Sequence, residues 1–462
     1  MVYQQKQIDR SVFRAYDIRG IIGEQLDEDA FYSIGLAISW RLHELNRNKI
    51  FVARDGRLTS ERLVKALQQG LMDSGITVLD LGMVATPVMY YATHTHDTDS
   101  GLMVTGSHNP ANYNGIKIVL AGKTLVQADI DNLFELVRAA KRKQGSGDYL
   151  KVDIIPDYLQ RIVGDVKLQL PLKVVVDCGN GIGGPVIPNI ITALGCEVIS
   201  LYCDVDGHFP NHHPDPSVET NLKDLKEAVI RHQADIGLAF DGDADRLGVV
   251  TNQGEVIWPD RLLMLYARHL LEKKKGATIV YDVKCSSHLR ELIEKAGGIA
   301  KMCPTGHSIV KAVMREEDAA LAGEMSGHLF FKDRWYGFDD ALYSACRLLE
   351  ILSSSSQTVS EQFAAIPNSV NTPEIKIPIA EEQKFSFMQR FCEQAQFPEA
   401  TIITIDGLRV EFPFGWGLLR ASNTTPCLVA RFEAQNETGL KHIQALFRAQ
   451  LHDMNKDLIL SF

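Results

Sequence analysis

The chain has 462 residues, 45% of them hydrophobic, and a formal net charge of −10. That length is expected to bury several cores in three or four domains. The negative balance argues against a nucleic-acid footprint, which needs a basic face, but a few local Arg and Lys side chains can still gather an anionic small molecule.

The opening "MVYQQKQIDRSV" has no apolar core of signal-peptide length, and no stretch reaches membrane-spanning length, so no membrane partner is expected. The eight cysteines (Cys178, Cys196, Cys203, Cys285, Cys303, Cys346, Cys392, Cys427) form no CxxC pair. Reduced, buried thiols in a cytoplasmic protein are the expectation.

In chain order, "FRAYDIRG" (13–20) places Tyr16 and Arg19 near the start, where a surface basic residue is the plain alternative. Then comes a pattern used three times: an apolar strand run ending in aspartate, a helix-like segment, a second strand opening on glycine, and a third apolar run ending in a polar loop. The first runs are "IFVARDGR" (50–57), "KVVVDCGNG" (173–181) and "ATIVYDVKCS" (277–286). The second are "GITVLDLG", "GCEVISLY" and "GGIAKMCP"; the third end in "GLMVTGSHNP", "IGLAFDGDADR" and "AALAGEMSGH". Strand–helix–strand units at this spacing predict three tandem α/β domains with mixed, largely parallel sheets, their ligand loops beyond the carboxyl ends of the strands. The short polar turn "SSSSQT" (353–358) is too short for a low-complexity linker. After Pro367, "IKIPI", "TIITIDGLRVEF", "GLLRASNTT" and "CLVARFEA" read as strands on short connections, followed by the amphipathic helix "LKHIQALFRAQLHDM". This predicts a smaller α+β domain with a mainly antiparallel sheet. The expected boundaries are 1–153, 154–255, 256–367 and 368–462.

The polar loops carry the chemistry. "FDGDADR" sets Asp241, Asp243 and Asp245 two residues apart. Carboxylates so crowded repel one another unless a cation or proton neutralises them, and oxygen-only ligands favour Mg²⁺ or Ca²⁺ over zinc. A solvated acidic turn is the plain alternative, made weaker by the apolar strand feeding the turn. An EF-hand is excluded, because Arg246 stands where its glycine belongs and Asn252 where its glutamate belongs. "GEMSGH" groups Glu324, Ser326 and His328; carboxylate and hydroxyl suit sugar hydroxyls, and the imidazole can move a proton near neutral pH. A satisfied polar turn would look the same, and "TGHS" (305–308) is weaker still. "RASNTTP" (420–426), with Arg431 just beyond, offers the donors of a phosphate cradle, or of an ordinary hairpin turn. Ser107 in "TGSHNP" could be a turn or cap residue. A hydrolase elbow would want the second glycine of G-x-S-x-G, which is missing. Beside a metal site, a phosphate cradle and sugar donors, the serine is expected to carry phosphate.

"TGSHNP", "DGDADR", "GEMSGH" and "RASNTTP", in this order and spacing, resemble the α-D-phosphohexomutases, in the bacterial phosphomannomutase/phosphoglucomutase branch, over essentially the whole chain. The resemblance implies four domains around a central cleft and a reversible isomerase, an intramolecular phosphotransferase acting on mannose and glucose phosphates. By it, Ser107 is the phosphoserine, and Asp241, Asp243 and Asp245 hold Mg²⁺ together with a phosphoserine oxygen. Lys117, from "GIKI", lies near the transferring phosphoryl group; His328 and Arg19 serve proton transfer or charge stabilisation. Glu324 and Ser326 grip the sugar's 3- and 4-hydroxyls. Tyr16, Arg246, Lys284, His307, Arg420, Ser422, Asn423 and Thr424 align with substrate or phosphate contacts. A hexose 1,6-bisphosphate is implied as intermediate and activator, and the implied assembly is a monomer.

Two enzymatic alternatives stand beside this. "LAFDGDAD" also resembles the start of haloacid-dehalogenase-type phosphatases, with Asp241 as nucleophile, which leaves Ser107 and the 420–426 loop without a role. Phosphoglucosamine mutase is the other, although its branch typically reads "GEQSGH" where this chain has "GEMSGH". A non-enzymatic sugar-phosphate sensor leaves the acid–base and metal set unexplained.

Overall fold

The computed structural model describes residues 3–423 and 425–462. Thr424, one of the expected phosphate contacts, lies outside the described residues. The chain divides into two compact units, Met1–Pro259 with Ser326–Ala364, and Asp260–Met325 with Ala365–Phe462.

The first unit opens with β1 (Ile18–Ile21), α1 (Glu28–Glu44), β2 (Lys49–Arg54), α2 (Ser60–Met72), β3 (Thr77–Met83), α3 (Thr86–Thr95), β4 (Gly101–Val104), β5 (Tyr113–Leu120), β6 (Lys123–Thr124), α4 (Gln127–Arg138) and β7 (Tyr149–Lys151). The sheet runs β1-β5-β4-β2-β3-β7, with β6 beside β5. β2 lies parallel between β3 and β4, and β5 reverses direction against β4. β4 is buried along its whole length, as a strand covered on both faces must be. Ile34 and Ile38 of α1, Leu63 and Leu67 of α2, and Val52, Val104 and Ile116 of the sheet share one core. α1 is capped by Asp27, whose side chain accepts the amide of Ala30.

The pattern recurs in α5 (Ile155–Asp165), β8 (Lys173–Asp177), α6 (Ile187–Ala193), β9 (Glu197–Leu201), α7 (Lys223–His232), β10 (Ile236–Phe240), β11 (Leu247–Thr251) and β12 (Val256–Ile257). Its sheet runs β12-β11-β10-β8-β9, with β8 parallel to both β9 and β10, and β11 antiparallel to β10.

Next come α8 (Pro259–Lys273), β13 (Thr278–Asp282), α9 (Ser287–Lys295), β14 (Ile299–Cys303), α10 (His307–Glu316) and β15 (Leu321–Gly323). β13 lies parallel to both β14 and β15. β2, β8 and β13 therefore hold equivalent places, as the threefold repeat predicts. The loops carrying Ser107, the three aspartates and Glu324 leave the carboxyl ends of β4, β10 and β15, each parallel to its central strand. β16 (Leu329–Phe331), α11 (Ala341–Leu352) and α12 (Val359–Ala364) belong to the first unit.

The second unit ends with β17 (Val370–Asn371), β18 (Ile375–Pro378), α13 (Lys384–Gln394), β19 (Thr401–Ile403), β20 (Leu408–Phe412), β21 (Gly415–Ala421), β22 (Cys427–Ala434) and α14 (Glu437–Met454). Neighbouring strands are antiparallel, and Ile377, Phe391, Val410, Leu419, Phe432 and Phe447 fill the core, which is the α+β domain expected.

All eight cysteines are free thiols; six are buried as expected, whereas Cys203 and Cys392 are half-buried. No helix among the described residues is long and apolar enough to cross a membrane.

Candidate functional site

Ser107 sits in the turn after β4 with φ +47°, a left-handed conformation uncommon for a residue with a Cβ. Its amide donates to Thr105 Oγ1 (2.8 Å). Its hydroxyl lies 3.1 Å from Asp241 Oδ2 and 3.1 Å from His108 Nδ1. The turn is pressed against the acidic loop: a Cβ at Gly242 would lie 2.4 Å from the carbonyl oxygen of Ser107, so only glycine fits there.

Asp241, Asp243 and Asp245 are fully buried, with one oxygen of each within 4.8 Å of the others. Asp241 Oδ1 accepts the amides of Asp245 (3.0 Å) and Arg246 (3.1 Å). Asp243 Oδ2 accepts Thr86 Oγ1 at 2.6 Å and Lys117 Nζ at 2.7 Å, and the same ammonium pairs with Asp245 Oδ2. Burial, then the charges of Asp245 and Asp243, push the Asp241 carboxyl well above the usual carboxylate range. Against burial, Lys117 and His328 hold Asp245 well below it. Lys117 resists its own burial because Asp243 and Asp245 favour its charge, so it remains an ammonium.

Lys117 pairs with Asp243 and Asp245, whereas Asp241 has Arg246 Nε at 4.0 Å and is pushed toward its protonated form. Asp243 Oδ1 is buried and accepts no hydrogen bond, and Asp245 Oδ1 has His328 Nε2 at 3.3 Å without hydrogen-bond geometry. An all-oxygen set with unsatisfied buried oxygens fits a hard divalent cation.

Of the other expected residues, Arg19, Arg246 and His328 lie here. Arg19, on β1, is buried, pairs with Asp17 (2.6 Å) and donates to the carbonyl of Thr105 (3.0 Å). Arg246 Nε lies 4.0 Å from Asp241 Oδ2 and 3.4 Å from His328 Nε2. His328 Nδ1 is 2.9 Å from Ser326 Oγ. Tyr16 is half-buried, just ahead of β1.

In the second unit a separate set converges. Asp282, at the end of β13, accepts the amide of Met325 (3.0 Å) and the hydroxyl of Thr305 (2.9 Å). Asp406 accepts the amide of Thr305 (3.0 Å) and Arg420 Nε (2.9 Å). Glu324 accepts the amide of Gly306 (2.6 Å), the residue before His307. Lys284 is buried and pairs with Glu374, with Asp282 at 3.7 Å. Lys284 and Arg420 are thus linked through Asp282, Thr305 and Asp406, and Glu324 binds the backbone between Thr305 and His307. Ser422 is buried, its hydroxyl 2.8 Å from that of Thr425, and Asn423 is half-buried beside it.

Arg431 departs from expectation. It is buried, pairs with Asp260 (3.2 Å), donates to the carbonyl of Lys284 and stacks near Trp416, so it braces the network and is not a cradle donor. Sequence reading also passed over Asp17, Thr86, Asp55 and Arg57. Their partners lie up to 157 residues away, as for Thr86 and Asp243. The one signal was "RDGR" itself, at the end of the first repeated strand.

Family models for phosphoglucomutase/phosphomannomutase match the chain throughout: alpha/beta/alpha domain I over residues 10–144, domain II over 156–254, domain III over 258–370 and the C-terminal domain over 374–450. Phosphomannomutase/phosphoglucomutase of Pseudomonas aeruginosa is 52% identical over 452 residues, 98% of each chain. Phosphoglucomutase of Neisseria meningitidis is 49% identical over 458 residues, 98% of this chain and 99% of that one. The crystal structure of a phosphoglucomutase/phosphomannomutase family protein from Burkholderia thailandensis superposes with a TM-score of 0.95 at 47% identity, covering 99% of this chain and all of that one.

Proposed function

The chain belongs to the phosphoglucomutase/phosphomannomutase family, and from that premise we propose that it interconverts the 1- and 6-phosphates of glucose and mannose through a phosphate carried on Ser107. The observation carrying this reading is the Ser107 hydroxyl 3.1 Å from Asp241, inside a buried cluster of three carboxylates and Lys117. The relatives at about half identity, named phosphomannomutase/phosphoglucomutase and phosphoglucomutase, favour this reading over the phosphatase and amino-sugar alternatives.

In this mechanism a hydroxyl of the hexose monophosphate attacks phosphoserine 107. The new O–P bond forms as the P–Oγ bond breaks, giving a hexose 1,6-bisphosphate; the substrate hydroxyl's proton passes to a base, for which His328 is the imidazole at hand, and the departing Ser107 oxygen takes up a proton to become a free hydroxyl. The bisphosphate then turns, and its other phosphate returns to Ser107. Lys117 and Arg19, both buried and cationic, offset the charge of the moving phosphoryl group. Mg²⁺, held by Asp241, Asp243 and Asp245 with a phosphoserine oxygen, supplies further positive charge when bound. Glu324 and Ser326 take the sugar's 3- and 4-hydroxyls, with Tyr16 and Arg246 as further contacts. Lys284, His307, Arg420, Ser422, Asn423 and Thr424 take the sugar and its distal phosphate. Because mannose and glucose differ only at C2, both suit such a grip.

The same proposal includes four domains at 1–153, 154–255, 256–367 and 368–462, a cytoplasmic monomer, and the bisphosphate as activator. Intact mass and peptide mapping test it, together with mutase assays on glucose 1-phosphate and mannose 1-phosphate. Phosphate on Ser107 and turnover of both sugars is the expected result. Full activity in Ser107→Ala, or phosphate on Asp241 instead, overturns it.

A further inference from the structure

Resting on that phosphoserine reading, we propose that Arg57 is a positioning residue, anchored by Asp55, that holds the Ser107 turn in the backbone conformation presenting its hydroxyl. Arg57 follows β2, and its side chain is 1% exposed. Its guanidinium meets four backbone carbonyls, three in the turn after β4 and one at the first residue of β5. Nη2 donates to Ser107 (2.8 Å) and Asn109, and Nη1 to Pro110 (2.6 Å) and Tyr113 (3.1 Å). Asp55 joins the clamp to the strand: Oδ1 accepts the Arg57 amide (3.0 Å), and Oδ2 accepts the Gly106 amide (3.1 Å) and lies 3.4 Å from Arg57 Nε.

A turn that leaves the sheet between two strands strands its own carbonyls, and buried carbonyls must find donors. The planar fork of an arginine can serve four of them at once, which the point charge of a lysine cannot. The fit is close, since a Cβ at Gly106 would lie 2.2 Å from Arg57 Nε. The anchor is a recurrent device, for Asp282 at the end of β13 likewise accepts the amide of Met325, in the loop after β15. With its amide on Thr105 and its carbonyl on Arg57, Ser107 is left only its hydroxyl to turn toward Asp241.

Two variants loosen the clamp from opposite sides: Arg57→Lys keeps the charge and loses the fork, and Gly106→Ala pushes the guanidinium away. The readouts are amide hydrogen exchange and steady-state kinetics of the full chain with glucose 1-phosphate. Exchange at 105–113 is expected to quicken at least about tenfold while the rest of residues 1–153 keeps its protection. The turnover number should fall about 100-fold, as for a misplaced reacting group, with KM held within about twofold. Unchanged exchange at 105–113, or a KM that rises in proportion to the loss of turnover, overturns the proposal. If Arg57→Lys does not fold, Gly106→Ala decides by the same criteria. Local loosening in a protein whose wild type carries no phosphate on Ser107 would instead count against the functional reading and leave the clamp standing.

Discussion

Lys117 Nζ lies 2.7 Å from Asp243 Oδ2, both side chains are nearly sealed from solvent, and the same ammonium also serves Asp245. Removing that cation leaves buried carboxylates uncompensated, which typically costs about 3–5 kcal/mol. Lys117→Met should therefore melt lower than wild type in chelator. Added Mg²⁺ should recover more of the melting temperature in the variant, because the ion then has no competitor for the two carboxylates. Thermal melts with and without Mg²⁺ check this; equal recovery in both proteins refutes it.

Asp243 offers one oxygen to Lys117 and Thr86 and leaves the other unbonded. Asp243→Asn should keep the fold and lower the turnover number by about 100-fold or more, since charge neutralisation at the phosphoryl group is worth several kcal/mol. Wild-type activity should fall likewise when a chelator removes Mg²⁺. Undiminished turnover of Asp243→Asn in chelator would end the metal assignment.

Arg420 is tied through Asp406 to Thr305, next to the His307 and Glu324 loops. If it grips phosphate rather than sugar, Arg420→Ala should weaken glucose 1-phosphate and glucose 6-phosphate alike, by about 10- to 100-fold. It should also release more bisphosphate per turnover. Binding measured for both monophosphates, with bisphosphate leakage at steady state, gives the answer; normal binding and no extra leakage place the cradle elsewhere.

Asp340 caps α11, accepting the amide of Tyr343 at 2.9 Å, the hydroxyl of Tyr158 at 2.9 Å and the indole of Trp335 at 3.1 Å. Burial still raises its carboxyl to about 7. The native state thus keeps a proton that the unfolded chain releases near its ordinary carboxylate value, so stability falls as pH rises from about 4 to about 7. Asp340→Asn keeps a capping side chain and cannot ionise. Its melting temperature should depend less steeply on pH across that window than wild type, whatever its absolute value. Parallel slopes would refute this.

Much of this was legible in the sequence because it is local. Strand runs ending in Asp, glycines opening second strands and apolar alternation all act within a few residues, so the three repeats and the antiparallel end domain could be read directly. The motif loops were legible too, since Asp241, Asp243 and Asp245 declare their crowding by spacing alone. What stayed hidden was pairing at a distance. Nothing near Thr86 points to Asp243, nothing near Arg57 shows four carbonyls awaiting it, and the positive φ of Ser107 is imposed by the turn rather than by residue type. Arg431 misled for the same reason: a cation beside a phosphate-like loop looks like a ligand until Asp260 and Trp416 are in place.

The contact between Ser107 and Asp241 spans 134 residues of chain. At a synthesis rate of about 5–20 residues per second, the serine leaves the ribosome on the order of ten seconds before its acidic partner. Arg57 precedes the turn by 50 residues and Tyr113 follows it closely, so the clamp can close on the nascent first domain. Lys117, by contrast, must wait in water for the second domain. The nascent chain therefore passes through an interval in which the serine is already shaped but not yet armed.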